Sequence, residues 1–337
     1  MTFERILIVG LGSIGQRHAT LLRELCPEAE IKALRHKEGS NEAGVDGCFT
    51  KIKDALAYQP QIAIIANPSP FHLEAAFPLA ETGVHLFIEK PLSSETRDVQ
   101  RLISLCEEKN VVLMTGYNLR FLSSLIAFRE NLQNRTIGKV MSVRAEVGQY
   151  LPSWRPDKDY RETVSAQKKL GGGVLLELSH EIDYLCWLFG SVESVYAELS
   201  KQSDLEIDVE DTAHMVLKFS NNIVATLNMD FLRHDTTRCC TVVGEKGTLR
   251  WDAIKNTVSL YKAGENEWNE LSNSPSERNF TYREELKCFM QSIAGGQKPL
   301  ITGEDGLTVL EVIEASRKAS KTGQAVNIKN TFASFRT

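Results

Sequence analysis

Lys90 and His180 are the residues whose type and setting most invite a reaction. Lys90 sits in Glu89-Lys90-Pro91, directly after the apolar run at His85–Ile88. A charged pair at that point lies at the carboxyl edge of a buried strand, where open α/β sheets bind their ligands. An ammonium there would hydrogen-bond a reacting oxygen and stabilise developing alkoxide. A cis bond at Pro91 would aim the lysine toward the ligand. His180 sits in GGGVLLELSHEID, with Glu177 and Asp183 each three residues away. On one continuous helix these are neighbouring positions. Oxidising an alcohol requires a base for the hydroxyl proton while hydride leaves carbon, and histidine suits that work near neutral pH. Helical histidines are more often structural, but the flanking carboxylates and the preceding glycines favour a catalytic role. Gly171–Gly173 permit close approach of backbone to a ligand or to a neighbouring helix.

A cofactor site is written nearer the start. GLGSIG places Gly10, Gly12 and Gly15, with Ser13 and Ile14 between them, after the apolar run RILIV and before a helical pattern. In that context the glycines serve a tight turn, approach of backbone to a pyrophosphate, and close helix–strand packing. The helix N-terminus offers N–H groups to the diphosphate. The second strand ends in LRHKEGS, where an NAD-selective site would place a carboxylate. Arg35, His36 and Lys37, followed by Ser40, stand there instead and favour NADP over NAD, Arg35 foremost. In NPSPFH, Asn67, Pro68 and His72 are expected near the nicotinamide half, the competing reading being a helix-starting turn capped by Ser69. Glu89, Lys90 and Asn118, each at or just after a strand, complete the expected cofactor contacts.

The elements that must hold these groups alternate. Apolar runs at 5–9, 31–34, 62–66, 85–89 and 111–116 are separated by helical patterns, notably 72–82 and 94–109. Nearly continuous apolar strands between helices predict an α/β Rossmann domain, a doubly wound parallel sheet covered on both faces, over 1–121. From 122 to 337 the strands alternate apolar with polar, as in KVMSVRAEVGQYL, TAHMVLKF, NIVATLNMDF, RCCTVVG and GTLRWD, with a hairpin turn at Asn221-Asn222. Helices are expected at 123–134, from the glycine run to Gly190, and at 284–294 and 305–322, with 272–279 as loop. That pattern is an α+β domain with a large open, mainly antiparallel sheet.

These motifs together resemble the Gfo/Idh/MocA family (glucose–fructose oxidoreductase, inositol dehydrogenase, rhizopine catabolism). The resemblance runs from about Arg5 to Ile328 through GLGSIGQRH, NPSPFH, EKP, GYNLRF at 116–121, GGG…HEID, GEKGTL at 244–249 and EDG at 304–306. It implies NAD(P)-dependent hydride transfer, with Lys90 and His180 carrying the chemistry and an acidic residue orienting the histidine. It also implies an open second sheet that serves in oligomerisation, as dimer or tetramer. The chain departs from the family pattern at one point. Glu177 replaces the usual aspartate and stands one residue closer to the histidine, so either Glu177 or Asp183 takes the orienting role.

The segment QYLPSWRPDKDYRETVSAQKK supplies Tyr150, Trp154, Arg155, Tyr160, Arg161 and Lys168. Aromatics stack on a sugar or base and arginines clamp a carboxylate or phosphate. With Lys90, Arg120 and His180, the group Tyr150, Trp154, Arg155 and Tyr160 is the expected substrate site, for a sugar derivative that is acidic or nucleotide-linked. Arg120 equally suits a structural ion pair, and the segment a surface excursion held by its prolines. Two other functions compete. One is a redox-neutral glycosidase of the same fold with tightly held NAD. The other is a non-catalytic dinucleotide sensor, which would have no need for Lys90 and His180.

The bulk numbers bound the rest. At 337 residues, two domains are the natural expectation. Lys and Arg number 39 against 44 Asp and Glu, which disfavours a nucleic-acid binder. Seven cysteines without CxxC spacing read as reduced thiols of a cytoplasmic protein. Cys239 and Cys240 would face opposite ways on a strand, so no metal site is expected there. No apolar run approaches membrane-spanning length.

Overall fold

The computed structural model describes residues 3–36, 44–274 and 277–328. Lys37 and Ser40, expected beside the nucleotide, lie outside the described residues. The chain forms two compact units, one comprising Met1–Asn118 with Thr281–Leu310 and the other Leu119–Phe280 with Glu311–Thr337. That division differs from a single cut at 121/122.

The first unit runs β1 Arg5–Val9, α1 Ser13–Leu25, β2 Glu30–Leu34, β3 Gly47–Phe49, α2 Ile52–Ala57, β4 Ile62–Ile65, α3 His72–Glu81, β5 His85–Glu89, α4 Val99–Glu108 and β6 Leu113–Gly116. Its strands form one sheet in the order β3-β2-β1-β4-β5-β6, every pair parallel. Ile6, Leu7, Ile8 and all of Ile62–Ile65 are fully buried, as strands covered on both faces require. The first unit is therefore the expected doubly wound fold. The carboxyl ends of β1, β2, β4, β5 and β6 lead into Gly10, Arg35, Asn67, Lys90 and Tyr117, which places the expected cofactor residues along one sheet edge. The helix expected from 94 begins only at Val99, because Asp98 adopts a left-handed conformation at φ 63° that a helix cannot continue through.

The second unit begins with α5 Ser123–Gln133 and β7 Val140–Gly148, then α6 Val174–Glu177, α7 His180–Phe189, β8 Val192–Ser200, β9 Thr212–Phe219, β10 Val224–Asp230, β11 Thr237–Gly244, β12 Gly247–Asp252, β13 Thr257–Lys262 and β14 Trp268–Asn273. The chain then runs through α8 Phe280–Gly295, α9 Gly303–Thr322 and β15 Val326–Asn327. Nine strands form a sheet ordered β14-β13-β12-β11-β7-β10-β9-β8-β15. Only the β7–β10 pair is parallel; the others are antiparallel. One face is closed by residues such as Ala145, Leu217, Leu227 and Val242. Trp251 of β12 is its largest buried side chain, donating from Nε1 to Ser124 Oγ on α5 at 2.9 Å with Tyr184 of α7 edge-on at 5.2 Å.

α8 belongs with the first sheet, not the second, for a packing reason. Phe289 meets Phe87 of β5 at 5.8 Å, and Tyr282 lies against His18 of α1 at 6.1 Å. The start of α9 presses on β6: a Cβ at Gly303 would meet Leu113 at 2.6 Å.

Elsewhere the structure corrects the sequence reading. The helix expected to run unbroken from the glycines to Gly190 is two helices, interrupted at Leu178 (φ −100°, ψ 22°). The strand expected through residue 151 ends at Gly148, and Leu151–Ser153 form a single helical turn. Ser272 and Asn273, expected as loop, belong to β14. β3, β8, β13, β15 and α2 were not anticipated, being short or carrying charged residues between their apolar ones.

Candidate active site

The glycine loop is shaped for a diphosphate. Gly10 has φ +89°, and a Cβ there would lie 2.7 Å from Asn67 N. A Cβ on Gly15 would fall 2.0 Å from Gly10 O, so helix and strand meet with no room for a side chain. Gly12 faces open space, with nothing within 4 Å of its Cβ position. Ser13 and Ile14 open α1, whose N-cap Gly12 provides no side-chain acceptor and whose first turn holds no acid. The first-turn N–H groups thus meet an open, cation-like helix end, which fits a bound dinucleotide. Arg35 is half-buried and its N–H is tied to Phe49 O at 2.9 Å, while His36 is exposed.

Two of the expected cofactor residues are held by hydrogen bonds within the first unit. His72 is 1% exposed, with Nε2 2.7 Å from Asn67 O and Nδ1 3.3 Å from Leu92 O. Burial depresses its basicity, so the neutral ring donates once, best to Asn67 O. It is thereby tied to the turn after β4, with its other ring nitrogen facing Leu92, the residue following the Lys90-Pro91 bond, which is cis. Asn67 Nδ2 donates to Phe71 O at 3.3 Å, and Pro68 leads into the turn Ser69–Phe71. Ser69, the alternative cap, makes no capping hydrogen bond. Glu89 is the second of them. It is 7% exposed and takes a 2.6 Å hydrogen bond from His18 Nε2, and its other oxygen accepts the Lys90 N–H at 3.2 Å. Lys90 itself is half-buried at the end of β5. Asn118 is buried, its amide donating to Thr281 Oγ1 at 2.9 Å.

Sequence reasoning missed the group behind Glu89. His18, Glu89 and Glu285 of α8 bring one donor atom each within 4.8 Å of one another, and His18 and Glu285 are wholly buried. Burial pushes the Glu285 carboxyl well up, and the neighbouring Glu89 adds to it. The His in QRH was the only local signal; its partner on α8 is remote in sequence.

In the second unit the glycine run has a definite purpose. A Cβ on Gly172 would strike Val164 O at 2.4 Å, and one on Gly173 (φ +101°) would strike Glu210 at 2.5 Å. The run thus admits the turn Val164–Ala166 and Glu210. Glu210, also missed, accepts from Leu175 N–H at 3.2 Å at the start of α6, and burial raises its carboxyl. Glu177 closes α6 and accepts from Ser165 Oγ at 2.7 Å. His180 opens α7 and is half-buried. Because the helix breaks between them, Glu177 and His180 are not helical neighbours.

The structure brings Arg120 and Asp183 together. Arg120, expected to touch substrate, is 3% exposed and grips Asp183 with two nitrogens, Nε at 3.0 Å and Nη2 at 2.6 Å. Asp183, expected near the chemistry, is fully buried under that grip. Both brace the second unit. Glu181, next to His180, is likewise buried and paired with Arg238 at 2.8 Å.

The proposed substrate segment is ordered by turns. Tyr150 stacks on His234 at 4.3 Å, and Trp154 stands edge-on to Phe231 at 5.2 Å while donating to Gln149 O. Tyr160 OH accepts from Glu206 N–H, and Arg161 is held by Asp159 and Glu206. Trp154, Arg155 and Tyr160 line a small recess with Ser165, the residue that holds Glu177. Lys168 N–H caps onto Asp208.

Among the described residues, no helix is long and apolar enough to cross a membrane.

Comparison with known proteins matches both parts of the chain to one oxidoreductase family. Residues 4–117 match the model described as "Oxidoreductase family, NAD-binding Rossmann fold", and 129–328 match "Oxidoreductase family, C-terminal alpha/beta domain". The chain is 28% identical to the myo-inositol 2-dehydrogenase of Thermotoga maritima, over 96% of this chain and 98% of that one. It is 26% identical to the 1,5-anhydro-D-fructose reductase of Ensifer adhaerens, over 86% of each. A solved levoglucosan dehydrogenase in complex with NADH superposes with a TM-score of 0.84 at 20% identity, covering 96% of this chain and 99% of that one.

Proposed function

The chain belongs to the Gfo/Idh/MocA oxidoreductase family, and from that membership we propose that it moves hydride between a nicotinamide cofactor and a hydroxyl-bearing carbon of a sugar or polyol. The observation that carries the reading is the carboxyl edge of the first sheet. There β5 delivers Lys90 to the same edge as the open Gly12 turn.

The residues divide the work. Amides of the Gly10–Gly15 turn and the first turn of α1 hold the diphosphate. The nicotinamide, when bound, supplies the hydride acceptor or donor. Lys90 hydrogen-bonds the reacting oxygen and favours its anionic form. His180 takes the hydroxyl proton in oxidation and returns it in reduction. Glu177 orients His180; the commitment of Asp183 to Arg120 supports Glu177 in that role. Trp154 and Tyr160 stack on the sugar, and the exposed Arg155 beside them suits an acidic substituent.

Arg35 at the end of β2 supports NADP, since a guanidinium pairs with a 2′-phosphate. Arg35→Ser should raise the KM for NADP and leave that for NAD little changed. The outward face of the second sheet exposes Tyr196, Val216 and Val224 at 41% to 43%, which supports pairing with a second copy.

The test is anaerobic mixing with NADP or NAD and a panel including myo-inositol, levoglucosan, xylose and sugar acids, following the absorbance of reduced cofactor. Turnover is expected in the native protein and a loss of about 100- to 10,000-fold in His180→Asn. No turnover on any of them, or an undiminished variant, would count against the reading.

A further inference from the structure

Beneath Lys90 lies a group with more acid than its surroundings can keep charged. Glu89 and Glu285 approach each other and His18 in a region closed to water, the three being 7%, 0% and 0% exposed. His18 Nε2 is in direct 2.6 Å contact with Glu89 Oε1. Neither oxygen of Glu285 has a hydrogen-bond partner among the described residues. The other groups facing the pair are few. Arg17 of α1 is engaged on the ring of Tyr282 at 4.5 Å, Tyr282 and Cys288 flank Glu285 on α8, and His72 on α3 is held neutral by burial. Two carboxylates so close and so deeply buried, with one imidazole beside them, cannot both stay ionised.

We propose that Glu285 is a positioning residue for Lys90: it keeps the proton of the carboxyl pair, leaving Glu89 as the single carboxylate that holds the His18 ring and the Lys90 N–H. This rests on the reading that Lys90 touches the substrate. The chain of contacts is short. Glu285 sets the charge of the cluster, Glu89 accepts from Lys90 N at 3.2 Å, and the backbone so fixed sets where the ammonium reaches. A misplaced ammonium of that kind costs on the order of 100-fold in rate.

The test uses charge. Glu285→Gln replaces a neutral acid by a neutral amide of the same shape, whereas Glu89→Gln removes the cluster's charge. The infrared spectrum of the native protein near pH 7, taken as a difference against that of Glu285→Gln at the same pH, should show a protonated-carboxyl carbonyl stretch that the variant lacks. The kcat–pH profile of Glu285→Gln should superimpose on that of the native protein, and the profile of Glu89→Gln should be displaced and lowered. A native protein without the protonated-carboxyl band, a displaced Glu285→Gln profile, or a stoichiometric divalent metal in the purified protein would overturn the proposal. If Glu89→Gln does not fold, the spectra of native protein and Glu285→Gln still decide. They need no substrate, so a Lys90→Ala variant with full turnover would remove the role of Lys90 without touching the spectral result.

Discussion

At the scale of residues, the candidate site rests on buried polar groups, one a matched ion pair and one a cluster with an acid in excess. Arg120 and Asp183 show what breaking the pair would do. Arg120→Ala leaves a fully buried carboxylate without its bidentate partner, and chemical denaturation should report a loss of about 3 to 5 kcal/mol. Glu285 gives a pH signature. Its folded carboxyl titrates above the unfolded value of about 4.3, so above that value the folded state holds the extra proton. Stability then falls as pH rises toward the folded value, by up to about 1.4 kcal/mol per pH unit, and is fully present only below the unfolded value. Glu285→Gln should flatten that slope in urea melts taken across pH. A slope equal in both proteins would mean that Glu285 is ionised in the fold.

At the scale of elements, the sequence announces what is local and hides what is not. The β1–glycine–α1 turn is legible because tight turn, open helix end and close packing each demand glycine within a few residues. Lys90 is legible because its strand is apolar up to Glu89. The brace Glu89–His18–Glu285 is not, because three elements contribute one residue each and no spacing links them. The break at Leu178 hides for a different reason. Glu177, His180 and Asp183 have helical spacing, and only the interruption separates the first from the others. The three glycines of the first loop make separable predictions. Gly15→Ala should destabilise the protein in thermal melts, since its Cβ would sit 2.0 Å from Gly10 O. Gly12→Ala should melt like the native protein yet bind dinucleotide more weakly by calorimetry, because its Cβ enters only the open space. Equal melting losses at both positions would contradict the division of roles.

For the whole molecule, the α/β and then open-sheet order is readable from the change in strand character near residue 122. What escapes is that Thr281–Leu310 rejoins the first unit, since Phe289 and Tyr282 read as ordinary helical apolar residues until their partners on β5 and α1 are known. The outward sheet face carries a further expectation. Tyr196 and Val216 stand opposite each other on β8 and β9, so charging both, as Tyr196→Glu with Val216→Glu, should convert an oligomer to a monomer in sedimentation equilibrium while leaving the fold intact. A native protein that is already monomeric would contradict this.

The central claim is that hydride leaves a carbinol carbon and arrives on nicotinamide. It is tested most directly with a polyol deuterated at that carbon, followed by mass spectrometry of the cofactor released after one turnover. The account predicts one deuterium on the nicotinamide ring in the native protein and its loss in His180→Asn. Product formed with an unlabelled cofactor, in the native protein, would contradict it.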